Sequence, residues 1–347
     1  MRFALLSLVL LLGACVAPRP PIEAPAPASE FELLFATDRK VESGQPIASR
    51  YGRERGEMSY GAARVGLPEG HRIGSFETPA WWQEKDQPDL EHDISLVELK
   101  SLEPDQLFGQ LADAEEVLLF VHGYNMSFEE ALRRSGQIAH DLQPRGAVLL
   151  FSWPSQASAT LYTHDASNAE WAEPDLLVLL ERLAAANPEA PIHLAAHSMG
   201  SKIVMDVLAR LARERPAETR PRIGQVVFAA PDIDSDVLVA TAPDLLLIAE
   251  RVTIYASEQD LALAASKRLN GAPRAGELAA RLPALEGLDV VDVSRVETDF
   301  SGHSYYSDSR LVLNDLHQLL TAGRPPTERF GLRPVETDGA RYWRIAE

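Results

Sequence analysis

The chain's 347 residues, 46% hydrophobic and 24% charged, have an ordinary globular composition with enough apolar material for a large core, and the length alone does not demand two domains. A formal net charge of −18 repels phosphate backbones, and no local basic patch offsets it, so nucleic acid is excluded as a partner.

The N-terminus reads MRFALLSLVLLLGACVAPRP: Arg2, then an apolar run over 3–12. That run is too short for a membrane-spanning helix, which needs about 20 residues, and suits the core of a signal peptide. Its end, Leu12-Gly13-Ala14-Cys15, resembles the lipobox of bacterial lipoproteins, whose cysteine is acylated and becomes the mature N-terminus. The resemblance implies a signal peptide at 1–14 and a lipid anchor on Cys15, making the membrane a partner. Cys15 is the only cysteine, so the mature domain has no internal disulfide. Residues 16–29 are rich in Pro and Ala without apolar periodicity, so 15–30 are expected to form an extended tether and 31–347 a single domain. Val16 stands where lipoproteins kept at the inner membrane often carry aspartate, which points to the outer membrane, facing the periplasm.

Past the tether, strands are expected at 31–39, 60–68 and 93–100 in an antiparallel N-terminal part. Nearly continuous apolar runs follow at 115–123, 146–154, 191–198, 223–231, 251–257 and 288–294, as in a parallel sheet covered on both faces. Helical spacing lies between them at 128–142, opened by a capping box of Ser127 and Glu130, and at 174–186, 202–215 and 310–320. The alternation predicts an α/β fold with a mainly parallel central sheet. Residues 268–287 and the tail from Gly323 carry no readable pattern.

The serine in Ala196-His197-Ser198-Met199-Gly200 lies between an apolar strand and an amphipathic helix. This is the context of a nucleophile elbow, where a strained turn lifts the hydroxyl above the sheet and small residues let strand and helix pass; the bland alternative is a helix-capping serine. Such a serine needs a base and the base an orienting carboxylate. Two histidines follow Ser198. His317 lies within a helical pattern, whereas His303 sits in the polar loop DFSGHSYYS after the last expected strand and is the favoured base. Asp260, after the strand at 251–257, is the favoured acid; Asp232 is the alternative and Glu258 a weaker neighbour. Asp232, Asp234 and Asp236 do not make a calcium loop, because Val237 and Pro243 occupy its glycine and glutamate positions, and they read as turn and cap residues. For an oxyanion, one backbone N–H is expected from Met199 and the other from Tyr124 in His122-Gly123-Tyr124-Asn125.

The set FVHGYN, FSWPS, AHSMGS, AAPDID, YASEQDLAL and GHSYY, with LLFATDR and YGAARVGLP, resembles the bacterial α/β-hydrolases of unassigned function grouped with the esterase/lipase superfamily. The resemblance covers most of the chain from about residue 31 onward and implies the triad Ser198, Asp260 and His303. The implied reaction is two-step acyl transfer on a small-molecule or lipid-like ester, with no metal or organic cofactor. Trp153, Tyr162, Tyr305 and Tyr306 are candidates to line a pocket, and 163–171 to shape it. Two other readings remain open: a non-catalytic envelope lipoprotein on the same scaffold, and a serine acyltransferase or amidase.

Overall fold

The computed structural model describes residues 27–78, 89–278, 286–296, 302–337 and 340–346. The expected signal peptide, Cys15 and most of the tether lie outside them. In chain order the elements are β1 (Ser29–Val41), β2 (Tyr51–Leu67), β3 (Ser95–Leu102), α1 (Pro104–Leu111), β4 (Val117–Val121), α2 (Phe128–Leu142), β5 (Ala147–Ser152) and α3 (Tyr162–Ala186). Then come β6 (Ile192–His197), α4 (Met199–Glu214), β7 (Ile223–Ala229), α5 (Ser235–Ile248), β8 (Ala249–Ala256) and α6 (Leu261–Asn270). The chain closes with β9 (Leu288–Asp292), α7 (Tyr305–Asp308), α8 (Arg310–Ala322), β10 (Leu332–Thr337) and β11 (Ala340–Ile345).

The strands form one sheet in the order β10-β11-β9-β8-β7-β6-β4-β5-β1-β2-β3. From β11 to β1 every neighbouring pair is parallel, and the hairpins β1–β2–β3 and β10–β11 add antiparallel edges. This is an α/β fold with a mostly parallel central sheet and extra antiparallel N-terminal strands. The parallel strands are greasy on both faces because both are covered: all five residues of β4, VLLFV, are buried. Alternate strand residues divide between two cores. Leu119, Val121, Leu149, Leu194 and Phe228 pack with α1, α3, α4 and α5, and Leu118, Phe120, Val148, Val227 and Tyr255 pack with α2 and α8. Fully burying one such side chain contributes about 1.5–3 kcal/mol.

One topological feature positions the site. The chain runs from β4 to β5 on one side, then crosses back to β6 on the other and continues through β7, β8 and β9. The strand order therefore reverses between β4 and β6. The helices that follow these two strands leave toward opposite faces, α2 to one core and α4 to the other. Their carboxyl ends thus open a crevice, the place where sheets of this kind bind ligands.

Some elements carried no legible signal. The first half of α3 is helical although its sequence, YTHDASNAEWAE, shows no apolar stripe; its inward face carries the buried Asp165 and Asn168. Helix α5 is apolar nearly throughout and contains Pro243, so its periodicity is hidden. The unread tail forms β10 and β11, and β11 pairs with β9, so β9 is not the last strand of the sheet.

On β1, Thr37 and Arg39 belong to a polar network described below. Between them, Asp38 is fully buried, and neither carboxyl oxygen finds a hydrogen-bond partner among the described residues. Burial, and next the charge of Asp175, push its carboxyl up to about 8. The folded state keeps a proton there that the unfolded chain gives up above about pH 4, so this group's contribution to stability is lost as pH rises toward 8. Asp38→Asn is therefore expected to be more stable than the parent at pH 8 by about 1 kcal/mol or more, with the gap shrinking toward pH 4. Urea unfolding at both pH values measures it, and a gap independent of pH would show that Asp38 does not carry the buried proton.

Candidate active site

The elbow is built as the sequence predicts. Ser198 joins β6 directly to α4 with φ 50° and ψ −121°, a conformation outside the ordinary regions for a residue with a side chain. Its backbone is held on both sides: Ser198 N–H donates to Ala229 O (2.9 Å), and Ser198 O accepts from Asp232 N–H (3.2 Å). Gly200 is required by close approach, since a Cβ there would lie 2.4 Å from His122 O. The same tightness places the 122–125 loop against the elbow, a Cβ on Gly123 falling 3.0 Å from Ser198 Cβ.

His303 reaches this corner from the segment just before α7. Its Nδ1 lies 2.7 Å from Asp260 Oδ2, and Asp260 Oδ1 accepts from Leu263 N–H at the start of α6 (2.9 Å). The second carboxylate oxygen is thus fixed by capping, which aims the first at the imidazole. His197, next to the serine, packs its ring 4.6 Å from that of His303 and donates from Nε2 to His303 O (3.2 Å). It also stacks on Tyr306 at 4.3 Å. The sequence marked His197 as structural; what it does is dock the His303 segment on the elbow.

Asp232 is otherwise engaged. Its carboxylate accepts from Arg274 Nε (2.7 Å), Ser266 Oγ (2.5 Å) and Tyr162 OH (2.7 Å). It supports the elbow through its backbone and is the partner of a buried arginine rather than a turn residue. Asp234 does cap α5, accepting from the Asp236 and Val237 N–H groups. His317 donates from Nδ1 to Leu142 O (2.7 Å), a packing role.

Met199 heads α4, where first-turn amides have no intrahelical acceptor and the helix dipole favours negative charge. Tyr124 lies in a loop pinned at the next two residues. Asn125 N–H donates to Asp165 Oδ2 (3.1 Å), and Met126 N–H donates to Ser155 Oγ (3.0 Å). Beneath this loop lies a feature the sequence reading missed, the fully buried guanidinium of Arg39. It donates to Ser152 Oγ (3.0 Å), Gly52 O (3.1 Å), Ser155 O (3.1 Å) and Met126 O (2.8 Å), and to His122 Nε2 (3.3 Å). Arginine only donates and a carbonyl only accepts, so His122 must receive at Nε2 and donate from Nδ1 to Gly123 O (2.7 Å). Arg39 ends the LLFATDR stretch and Asp165 lies within 163–171, but neither stretch gives these residues a role; for Arg39 a charged residue at the end of an apolar strand is the available signal.

Two of the four aromatic candidates are taken up by the framework. Trp153 is buried, stacks on His122 at 5.1 Å and donates to His122 O (2.8 Å). Tyr305 is buried and donates to Tyr255 O (2.8 Å). Tyr306 borders a small cavity of about 30 Å³ between the sheet and α2 and α8, which His122 and His197 also line. Tyr162 is partly exposed, lies edge-on to Tyr124 at 5.5 Å and remains at the crevice. Residues 163–171 belong to α3 and brace the loops from below.

Residues 105–323 match a family described as "Alpha/beta hydrolase of unknown function (DUF900)". The chain belongs to this family. The match begins inside α1 and ends just past α8, so it contains Ser198, Asp260 and His303 but neither the β1–β3 nor the β10–β11 edge. An uncharacterized protein, alr1448, of Nostoc sp. is 26% identical over 136 residues, and the match spans 31% of this chain and 35% of that relative, about a third of its length. Among solved structures, a poly(3-hydroxybutyrate) depolymerase, LpqC, from Bordetella parapertussis is similar at a TM-score of 0.35 and 12% identity over 86% of this chain and 91% of that one. A Trichoderma reesei cutinase, solved with a phosphonate inhibitor, is similar at a TM-score of 0.27 and 13% identity over 59% and 78%.

In this α/β-hydrolase two histidines around the serine are held neutral. Burial, and then the Arg39 charge, bring His122 down to about 3, while burial and the neighbouring His303 lower His197 well below its ordinary value. Both groups are depressed on folding, so below about pH 6.5 the unfolded chain binds protons that the folded one refuses, and stability falls as pH drops. Between pH 7.5 and 5 each such histidine is expected to remove about 2 kcal/mol of unfolding free energy. His197→Gln, which keeps a side-chain donor, should show a shallower acid slope in urea titrations; an unchanged slope would mean that His197 is protonated in the fold.

Proposed function

We propose that the protein is a serine esterase that cleaves carboxylic esters through an acyl-enzyme intermediate. The observation that carries this reading is the 2.7 Å contact of His303 Nδ1 with Asp260 Oδ2, in a segment docked by His197 onto the strained Ser198. A carboxylate accepting from Nδ1–H leaves Nε2 as the basic nitrogen of a neutral imidazole. In the proposed reaction His303 takes the Ser198 proton as Oγ attacks the ester carbonyl. The Met199 and Tyr124 N–H groups hold the oxyanion, and His303 returns the proton to the leaving alcohol. Water, deprotonated by His303, then attacks the acyl group, releases the acid and restores Ser198.

Among the described residues the connections leaving β6, β7 and β8 each carry a single helix rather than an inserted cap domain, which favours short or medium acyl esters over a buried long chain. The same reading anchors the domain by an acyl group on Cys15 to the outer membrane, facing the periplasm.

A fluorophosphonate probe is expected to label the wild type and not Ser198→Ala. On p-nitrophenyl esters of increasing chain length, Ser198→Ala should lose at least ~10³-fold in kcat and Asp260→Asn about 10⁴-fold, each with an unchanged circular dichroism spectrum. A wild type that neither labels nor cleaves any activated ester removes the esterase reading and leaves a non-catalytic scaffold; labelling without hydrolysis, relieved by an added alcohol or amine, makes the protein an acyltransferase.

A further inference from the structure

We propose that His71, His140 and Asp141 form a binding site for one divalent transition-metal ion of the Zn²⁺ class. The site joins the loop between β2 and β3 to the last turn of α2, away from the serine, and does not depend on the esterase reading. Three donor atoms converge there. His71 Nε2 lies 2.9 Å and His140 Nδ1 3.5 Å from the same oxygen, Asp141 Oδ1, and all three atoms lie within 4.8 Å of one another. Tetrahedral zinc with ligand bonds of about 2.0–2.2 Å has ligand-to-ligand edges of about 3.3–3.5 Å. The two edges that meet at Asp141 Oδ1, 2.9 and 3.5 Å, bracket the lower end of that range.

The outer partners are those a metal site uses. Glu77 Oε2 lies 2.8 Å from His71 Nδ1, the carboxylate–histidine pairing that fixes the tautomer and leaves Nε2 to ligate. Asp141 Oδ2 is taken by Gly74 N–H (2.9 Å) and Gln137 Nε2 (2.8 Å), which orients Oδ1 toward the histidines. The Asp141 side chain is fully shielded while His140 is 33% exposed, so the site has rigid floor ligands and an open side for entry and for a water as fourth ligand. Two imidazole nitrogens and one carboxylate oxygen suit Zn²⁺, Co²⁺ or Ni²⁺ and disfavour Ca²⁺ or Mg²⁺.

The ion's role would be structural. Gln137 also donates to Ser307 O (3.0 Å), and Arg134 on the same helix pairs with Asp308 (2.6 Å). The cluster thus ties the β2–β3 loop to the helix that holds the segment following His303.

The test uses the untagged full chain, stripped with EDTA and dialysed. Titration with ZnCl₂ against a chromogenic chelator should give one tight site per chain and a melting temperature raised by several degrees. Co²⁺ should give the intense visible bands of a tetrahedral ion. His140→Ala leaves the Glu77–His71–Asp141 clamp intact and should weaken Zn²⁺ at least tenfold, as should His71→Gln. His92→Ala, in an exposed cluster with Asp89 and Glu91, should leave the affinity unchanged. Absence of stoichiometric Zn²⁺ binding, affinity indifferent to both His140→Ala and His71→Gln, or a six-coordinate Co²⁺ spectrum would each overturn the site.

Discussion

The crevice rests on one buried cation. Arg39 brings a guanidinium into the protein interior, where an unsatisfied charge costs several kcal/mol, and the fold answers with acceptors from four separate segments: Gly52 on β2, Met126 before α2, Ser152 on β5 and Ser155 after it. Burial brings this group down to about 9, so it is still charged at neutral pH. Its fork of donors ties those segments to one another. The N-terminal strands therefore belong to the machinery of the sheet. They deliver the side chain that fixes the loop after β4, and with it the amide of Tyr124.

The pieces most legible in the sequence were those whose signal is local. A serine between small residues, with an apolar run before and an amphipathic helix after, is recognisable within fifteen residues, and the loop bearing His303 declared itself by polarity and glycine. Asp260 is preferred over Asp232 because it follows the strand at 251–257, where folds of this type usually place the acid; in the structure Asp260 contacts His303, and Asp232 is taken by Arg274. What stayed hidden was long-range or inverted in polarity. Arg39 meets partners 13 to 116 residues away. The start of α3 buries Asp165 and Asn168, so a helix that faces the interior with polar groups has no apolar stripe to find. Two of the aromatic candidates misled for the opposite reason: Trp153 and Tyr305 are large and buried, and each spends its polar group on a framework neighbour.

Strain and support are balanced at the elbow. A serine at positive φ persists only when its surroundings over-determine it. Here the β7 carbonyl of Ala229 and the amide of Asp232 grip its backbone, while Asp232 is itself anchored by Arg274, Ser266 and Tyr162. The strand reversal between β4 and β6 supplies the other half. It sends α2 and α4 to opposite faces, so the strained residue and the Gly123–Tyr124 loop meet at the carboxyl ends of β6 and β4.

The proposed base is placed by tertiary contacts rather than by its own segment. His303 precedes a helix of only four residues, too short to hold a position alone. Three outside elements hold it: Asp260 at the ring, His197 at the carbonyl, and α2 through Gln137 and Arg134 at Ser307 and Asp308. Helix α2 thereby carries two loads at its C-terminal half, the α7 segment on one side and the His71–Asp141 cluster on the other. Both pass through Gln137, whose amide donates to Ser307 O and to Asp141 Oδ2. A change in the charge or geometry of Asp141 consequently acts on the same side chain that steadies the residues after His303. The cluster and the residues after His303 are distant in sequence and lie on different elements, but one fixed amide bonds to both.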